Sequence, residues 1–325
     1  MTELPPQDTA PESDVDTAKS GLEAEAGLPA GAASVPPPGG PLATDGSTGG
    51  TIPLDADDTR GRHFRRLARH PATLILGGLL IIGAGVAGAV AVGPGIGAAA
   101  AGGALLLVLL IVWLLASSQA ESDFFKAYAH SHSLQLEEGK GRLPPVTPLL
   151  QRGDDRYTKC RLSGVLPGGQ QGTLALYTYE ETTTDSEGNR STTYMHFTVA
   201  MVELPDFAPF MQELYGQRRV GFRFLDGAED MFRKRQRVEQ ESEVVDKKYE
   251  IFCGENDDMN RARQVLSPQF LVWLGDHSPE AFAFECCAGV LVCNVKGHKK
   301  SKAELDSFCE GASAVAKRMH EEAIE

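Results

Sequence analysis

Between Pro71 and Ala120 the chain reads PATLILGGLLIIGAGVAGAVAVGPGIGAAAAGGALLLVLLIVWLLASSQA, without a single charged side chain. Two apolar runs, residues 73–92 and 96–116, flank Gly93-Pro94-Gly95. At about 1.5 Å per helical residue each run is roughly 30 Å long, the thickness of a bilayer's hydrocarbon core. Proline between glycines suits a turn between antiparallel helices and cannot continue one long helix. The stretch is therefore expected to be a two-helix transmembrane hairpin spanning residues 71–117. A single span through the Leu-rich second run is the rival reading.

Charge is distributed unevenly around this stretch. Residues 1–59 carry eleven acids against the single base Lys19, and residues 121–325 carry thirty-three acids against twenty-five bases. Between the acidic tail and the first span lies the opposite sign, Arg60, Arg62, Arg65, Arg66 and Arg69. Basic residues within about 15–20 positions of a span stay preferentially in the cytoplasm, so this flank places the N-terminus inside, and a second span returns the chain to the same side. The expected location is the inner or plasma membrane, multi-pass, with both termini cytoplasmic and the bilayer as partner. An acidic soluble part lacks the clustered basic face that nucleic acid requires.

Residues 1–59 are rich in Pro, Gly, Ala and acids and contain no aromatic residue. Such a segment cannot offset its ordering entropy by burial and is expected to be a disordered tail. No charged n-region with an apolar core follows Met1, so no secretory signal peptide is expected there. Within the first run, Gly83 and Ala87, Ala84 and Gly88, and Gly85 and Ala89 stand four apart, a spacing that lets helix backbones approach in lipid. The face is expected to pack the first helix on the second, with homo-oligomerisation as the alternative use. Neither run has an ionisable residue, whereas pumps and proton relays place such groups at membrane depth. The hairpin reads as an anchor.

After the membrane, Phe124, Phe125, Tyr128 and His132 recur at helical spacing, so a helix is expected over residues 122–133. Strands are expected at 160–166, 172–182 and 191–203, the last two forming a hairpin around a polar turn at 184–190. Further strands are expected at 220–225, 238–244, 248–253, 281–287 and 290–295. Helices are expected at 257–264, at 268–275 with Ser267 as N-cap and Pro268 at the first position, and at 302–322. In the last, Leu305, Phe308, Cys309, Ala312, Val315 and Met319 share a face. The fold class is α+β, an antiparallel sheet covered by helices, with two strand-rich halves that could be subdomains of 121–325.

The span from Lys248 to Arg318 contains Tyr249-Glu-Ile-Phe252, Ala262-Arg-Gln-Val-Leu-Ser-Pro-Gln-Phe270, Ala288-Gly-Val-Leu-Val292 and a final amphipathic helix. In this it resembles an uncharacterised bacterial membrane-protein family with N-terminal transmembrane helices and a cytoplasmic α+β domain. The resemblance implies that fold and brings no chemistry and no functional residues.

Candidate sites are sparse. Cys286, Cys287, Cys293 and Cys309 could converge, but no Cys-x-x-Cys knuckle is present, and adjacent Cys286 and Cys287 point to opposite faces of a strand. All six cysteines are expected as reduced, mostly buried thiols. His130 and His132 diverge on a helix and read as surface polarity. Arg233-Lys234-Arg235-Gln236-Arg237, flanked by acids, reads as a solvated loop rather than a headgroup contact. No nucleophile elbow, phosphate loop, zinc-helix motif or dinucleotide fingerprint occurs, and Pro167-Gly168-Gly169 reads as a turn. No cofactor is expected. The sequence thus points to a membrane-anchored cytoplasmic binding or scaffold protein with a membrane or cytoplasmic protein partner. The alternative is a membrane-tethered enzyme whose site is assembled from distant residues.

Overall fold

The computed structural model describes residues 55–218, 235–239 and 248–325. The expected disordered tail up to residue 54, the strand at 220–225, residues 240–244 of the strand expected at 238–244 and Arg233-Lys234 lie outside these residues; Val238 and Glu239 themselves follow a strand that ends at Arg237.

The first element was not foreseen. Helix α1 (Ala56–Ala68) is opened by Asp55, whose carboxylate accepts from the Asp57 N–H while Asp58 returns the bond to the Asp55 N–H. Asp57, Asp58 and Thr59, assigned to the tail by composition, form its first turn. Helix α2 (Pro71–Ala91) follows after Arg69 and His70, and α3 (Pro94–Ser131) returns beside it. Pro71 and Pro94 each occupy the first helical turn, where the missing N–H costs nothing. Gly93 has φ 127°, a left-handed conformation that glycine adopts freely, and this makes the tight reversal.

The small-residue face is used within the hairpin. A Cβ on Gly97 would lie 2.6 Å from the Gly85 carbonyl oxygen and 2.7 Å from the Ala89 Cβ. Gly88 faces Ala100, and Gly77 faces Val108. Gly83, by contrast, looks into open space. The remaining surface is apolar and exposed, with Leu79 at 64%, Leu106 at 69% and Val90 at 83%. Both helices are long and apolar enough to cross a membrane.

Helix α3 does not stop where its apolar run ends. Its 38 residues form one helix about 57 Å long. Past Ala116 the buried positions continue as Ala120, Phe124, Phe125 and Tyr128, now inside the α+β domain. The helix expected at residues 122–133 is therefore the C-terminal part of α3, which ends at Ser131.

Among the described residues the domain holds one antiparallel sheet of nine strands: β1 (Gln135–Gly141), β2 (Asp155–Val165), β3 (Gln171–Thr184), β4 (Arg190–Glu203), β5 (Glu213–Arg218), β6 (Gln236–Arg237), β7 (Tyr249–Cys253), β8 (Ala283–Cys287) and β9 (Val290–Lys296). Their order is β1-β2-β3-β4-β9-β8-β5-β7-β6. The two strand-rich halves are joined because β9 pairs with β4 from Phe197↔Lys296 to Glu203↔Val290. The β3–β4 hairpin runs in register from Thr173↔Met201 to Thr184↔Arg190. Its turn is held by the Asp185 carboxylate, which accepts from the Glu187 and Asn189 N–H groups at 2.9 and 2.8 Å. Leu166 to Gln170 is a turn, as expected from its glycines.

One sheet face packs on α3 and on the C-terminal helix α7 (Lys302–Ile324), whose Leu305, Phe308, Cys309, Ala312, Val315 and Met319 are all buried. The short α4 (Pro148–Gln151) covers the other face, where Leu149 and Leu150 meet Tyr177, Tyr179, Phe197, Val199 and Val292. Helices α5 (Met259–Val265) and α6 (Pro268–His277) complete the domain, with Ser267 capping α6 as its sequence predicts.

Candidate functional site

The most elaborated region surrounds α3 where its apolar run gives way to the domain. Here α1 packs across α3. Arg60 stacks over the Trp113 ring at 5.4 Å and pairs with Asp57, while His63 Nε2 stands 3.1 Å from an Asp123 carboxylate oxygen. The start of α1 is tied to the domain as well: the Ala56 N–H donates to the Lys300 carbonyl at 3.0 Å, and Asp55 bridges to Ser301. Lys300 in turn pairs with Glu121 on α3.

The five predicted flanking arginines divide between two faces. Arg60 is half-buried, while Arg62, Arg65, Arg66 and Arg69 are exposed. Four-residue steps on α1 turn Thr59, His63 and Leu67 toward α3 and leave Arg62, Arg65 and Arg69 outward, with Arg66 at the border between the two faces.

Two clefts flank α3 at this level. One, of 420 Å³, lies between α1 and α3 and is lined by His63, Arg66, His70, Asp123 and Lys126 among others. The second, of 530 Å³, lies between α3 and the β1–β2 edge, with Glu121, Phe125, Lys140, Tyr157, Lys159 and Cys160 on its walls. Beside it is a polar cluster. His298 Nε2 is 3.1 Å from the Tyr177 carbonyl, which can only accept, so Nε2 carries the proton. Thr178 Oγ1 is 2.9 Å from His196 Nδ1 and 3.3 Å from His298 Nε2. Burial pushes the His298 pKa down to about 4, with the charge of Lys159 adding to it, and burial also lowers His196. Both rings are thereby held neutral near pH 7.

At its far end α3 docks on α7: the Tyr128 hydroxyl donates to Asp306 Oδ1 at 2.9 Å, and His132 Nε2 lies 3.2 Å from the same oxygen. His132 is therefore half-buried against Tyr128 and Asp306 rather than a surface residue, while His130 is exposed.

The six cysteines are free thiols, all buried except Cys287, which is half-buried. Burial raises Cys160 and Cys309 to about 12 and Cys253 and Cys287 to about 11. Cys286 and Cys293 share the α7 face of the sheet, whereas Cys287 points the other way, 3.1 Å from the Tyr215 hydroxyl. Among the described residues no three His, Cys, Asp or Glu side chains converge as metal ligands would. Arg235 departs from the solvated loop expected of the basic cluster. It pairs with Glu213 at 2.9 Å and lies over the Tyr215 ring at 4.1 Å, and Gln236 and Arg237 pair with β7.

Sequence reasoning missed α1 as a helix and the His196–His298–Thr178 cluster. The first left a signal, the Asp55/Asp58 capping pair. The second left none, because Thr178, His196 and His298 meet only through strand pairing and the turn after β9.

No family model matches the chain, and no curated protein matches it. Among solved structures, the crystal structure of the mycobacterial trehalose monomycolate transport factor A, TtfA, overlays with a TM-score of 0.40 and 9% identity, over 59% of this chain and 90% of that one. A likeness at that level decides nothing further. The architecture itself defines the class: two apolar helices ahead of an α+β domain with a nine-stranded antiparallel sheet, with no family assigned. The two helices fit a membrane-embedded hairpin at the plasma membrane, and this architecture fits a membrane-anchored role.

Proposed function

We propose that the protein is a membrane-anchored cytoplasmic binding or scaffold protein, in which residues 71–117 hold residues 121–325 at the inner face of the membrane. The observation that carries this reading is the continuity of α3. One helix bears lipid-exposed leucines at one end and Phe124, Phe125 and Tyr128 in the domain core at the other. A flexible linker would tether the domain loosely, whereas an unbroken helix fixes its distance from the bilayer and its orientation. The cytoplasmic assignment rests on the arginines of α1, and the absence of charge within the spans favours an anchor over a conduit.

Photo-crosslinking in intact cells tests the proposal. A photoreactive residue at Lys159 or Tyr194, both exposed on the domain, should trap a discrete protein or lipid adduct. The same domain freed of residues 71–116 should lose the adduct. An adduct formed equally well by the freed domain, or no discrete adduct at either position, would sink the anchored-binding reading.

A further inference from the structure

We infer that the cleft between α1 and α3 is a seat for the phosphate-bearing headgroup of an anionic phospholipid. The inference rests on the proposed membrane anchoring and goes beyond it, from a diffuse basic flank to one discrete site.

Three observations converge. The cleft lies where the lipid would be: α1 touches α3 at Trp113, near the end of the apolar run, and at Asp123, just beyond it. Its α1 wall is a single stripe, because His63, Arg66 and Leu67 stand at three- and four-residue spacing, and His70 continues it at the start of α2. Lys126 approaches from α3, so donors face the 420 Å³ space from two elements. Finally, among the described residues Arg66 has no carboxylate within ion-pair distance, and neither have Arg62, Arg65 and Arg69. Three exposed cations on α1 and a fourth at its C-cap, without an ion-pair partner among the described residues, leave this side of the helix open to an anion from outside the fold.

Opposing groups are present and set the selectivity. Asp123 is engaged by His63, and Glu138 by Lys126 at 3.2 Å. Lys126 also donates at 2.9 Å to Ser122, itself a lining residue of the cleft. A planar guanidinium at Arg66 and the ammonium at Lys126 can together grip a phosphodiester, with Leu67 beside the glycerol. A zwitterionic headgroup would bring a second cation into this basic setting and is disfavoured.

Trp113, exposed on α3 and contacted by Arg60 of α1, reports on lipid held beside the packed helices. In full-length protein carrying Trp273→Phe, Trp113 is the sole indole. The protein is reconstituted in phosphatidylcholine vesicles containing either brominated phosphatidylglycerol or brominated phosphatidylcholine at the same mole fraction. Brominated phosphatidylglycerol should quench Trp113 more strongly. The pair Arg66→Gln with Lys126→Gln should lower the relative association constant for phosphatidylglycerol about 25-fold, at roughly fivefold per basic residue. The pair Arg62→Gln with Arg65→Gln removes the same charge outside the cleft and should cost markedly less. Conservative Arg66→Lys with Lys126→Arg should restore binding, which separates loss of the site from loss of folding. Equal effects of the two neutralising pairs, or equal quenching by the two lipids, would overturn the discrete site. Displacement by millimolar inorganic phosphate would assign the cleft to a small anion and overturn the lipid. Failure to reconstitute at all would strike the anchoring instead.

Discussion

Replacing Gly97 by alanine probes the hairpin at its tightest point. The new Cβ would stand 2.6 Å from the Gly85 carbonyl oxygen, 2.7 Å from the Ala89 Cβ and 2.8 Å from the Ala89 nitrogen. Two of these neighbours are backbone and cannot swing aside. Ordinary van der Waals contact begins at 3.4 Å, so α2 and α3 must part by about 0.8 Å. A gap of that size forfeits roughly a quarter to a half of each dispersion contact along the seam. Little else holds two helices together in lipid, since the tails are as apolar as the helices. Overpacking of this kind costs about 1–3 kcal/mol, a factor of roughly 5 to 150 in helix association. Gly83→Ala and Gly102→Ala provide the controls, because nothing lies within 4 Å of either added carbon. Steric-trap unfolding of the full-length protein in bicelles reads the difference directly. If Gly97→Ala is as mild as Gly83→Ala, the two helices do not pack through the Gly85–Gly88–Gly97 face and the hairpin geometry is wrong.

Phe124→Ala removes a fully buried ring from the part of α3 that enters the domain, and it should destabilise that domain by about 3–5 kcal/mol in denaturant titration. The same change at Leu106, exposed on the span, should leave the domain's stability untouched. His298 has its folded pKa depressed to about 4 from an ordinary 6.5, so the unfolded chain binds the extra proton first. Stability contributed there is present above pH 6.5 and falls as pH drops toward 4. NMR titration should show His298 neutral at pH 6, and a protonated ring at that pH would contradict its burial. Thiol reagents should modify Cys287 first and reach Cys160, Cys286, Cys293 and Cys309 only on unfolding. Labelling of Cys309 at the rate of Cys287 would refute the docking of α7.

Much of the fold is written locally. The hairpin is legible because lipid demands long uncharged runs, and the β3–β4 pair because Thr, Tyr and Val alternate across it. The face of α7 follows from spacing alone. What escaped depends on contacts distant in sequence. Strand β1 reads Gln-Leu-Glu-Glu-Gly-Lys-Gly, with nothing β-branched, and exists as an edge because β2 offers it a partner. Strand β5 contains Gly216, where an added Cβ would come within 2.3 Å of the Phe284 ring, so a residue that weakens a strand locally is required by its neighbour. Helix α1 looked like a basic flank because its arginines dominate the composition. Its buried and half-buried positions are Ala56, Thr59, Arg60, His63, Phe64, Leu67 and Ala68, of which only Phe64 and Leu67 are large and apolar, too few to announce a helix without α3 beside it. The cleft between α1 and α3 was hidden for the same reason, although Arg66 itself was singled out as flanking the membrane.

The anchored, inward-facing arrangement is tested most directly by protease protection. An epitope is inserted after residue 30 and another at the C-terminus of the full-length protein, and spheroplasts are treated with protease before and after permeabilisation. Both epitopes should survive in intact spheroplasts and vanish together once the membrane is opened. Loss of one epitope in intact spheroplasts would mean a single span in place of the hairpin, and loss of both would reverse the orientation assigned from Arg60 to Arg69.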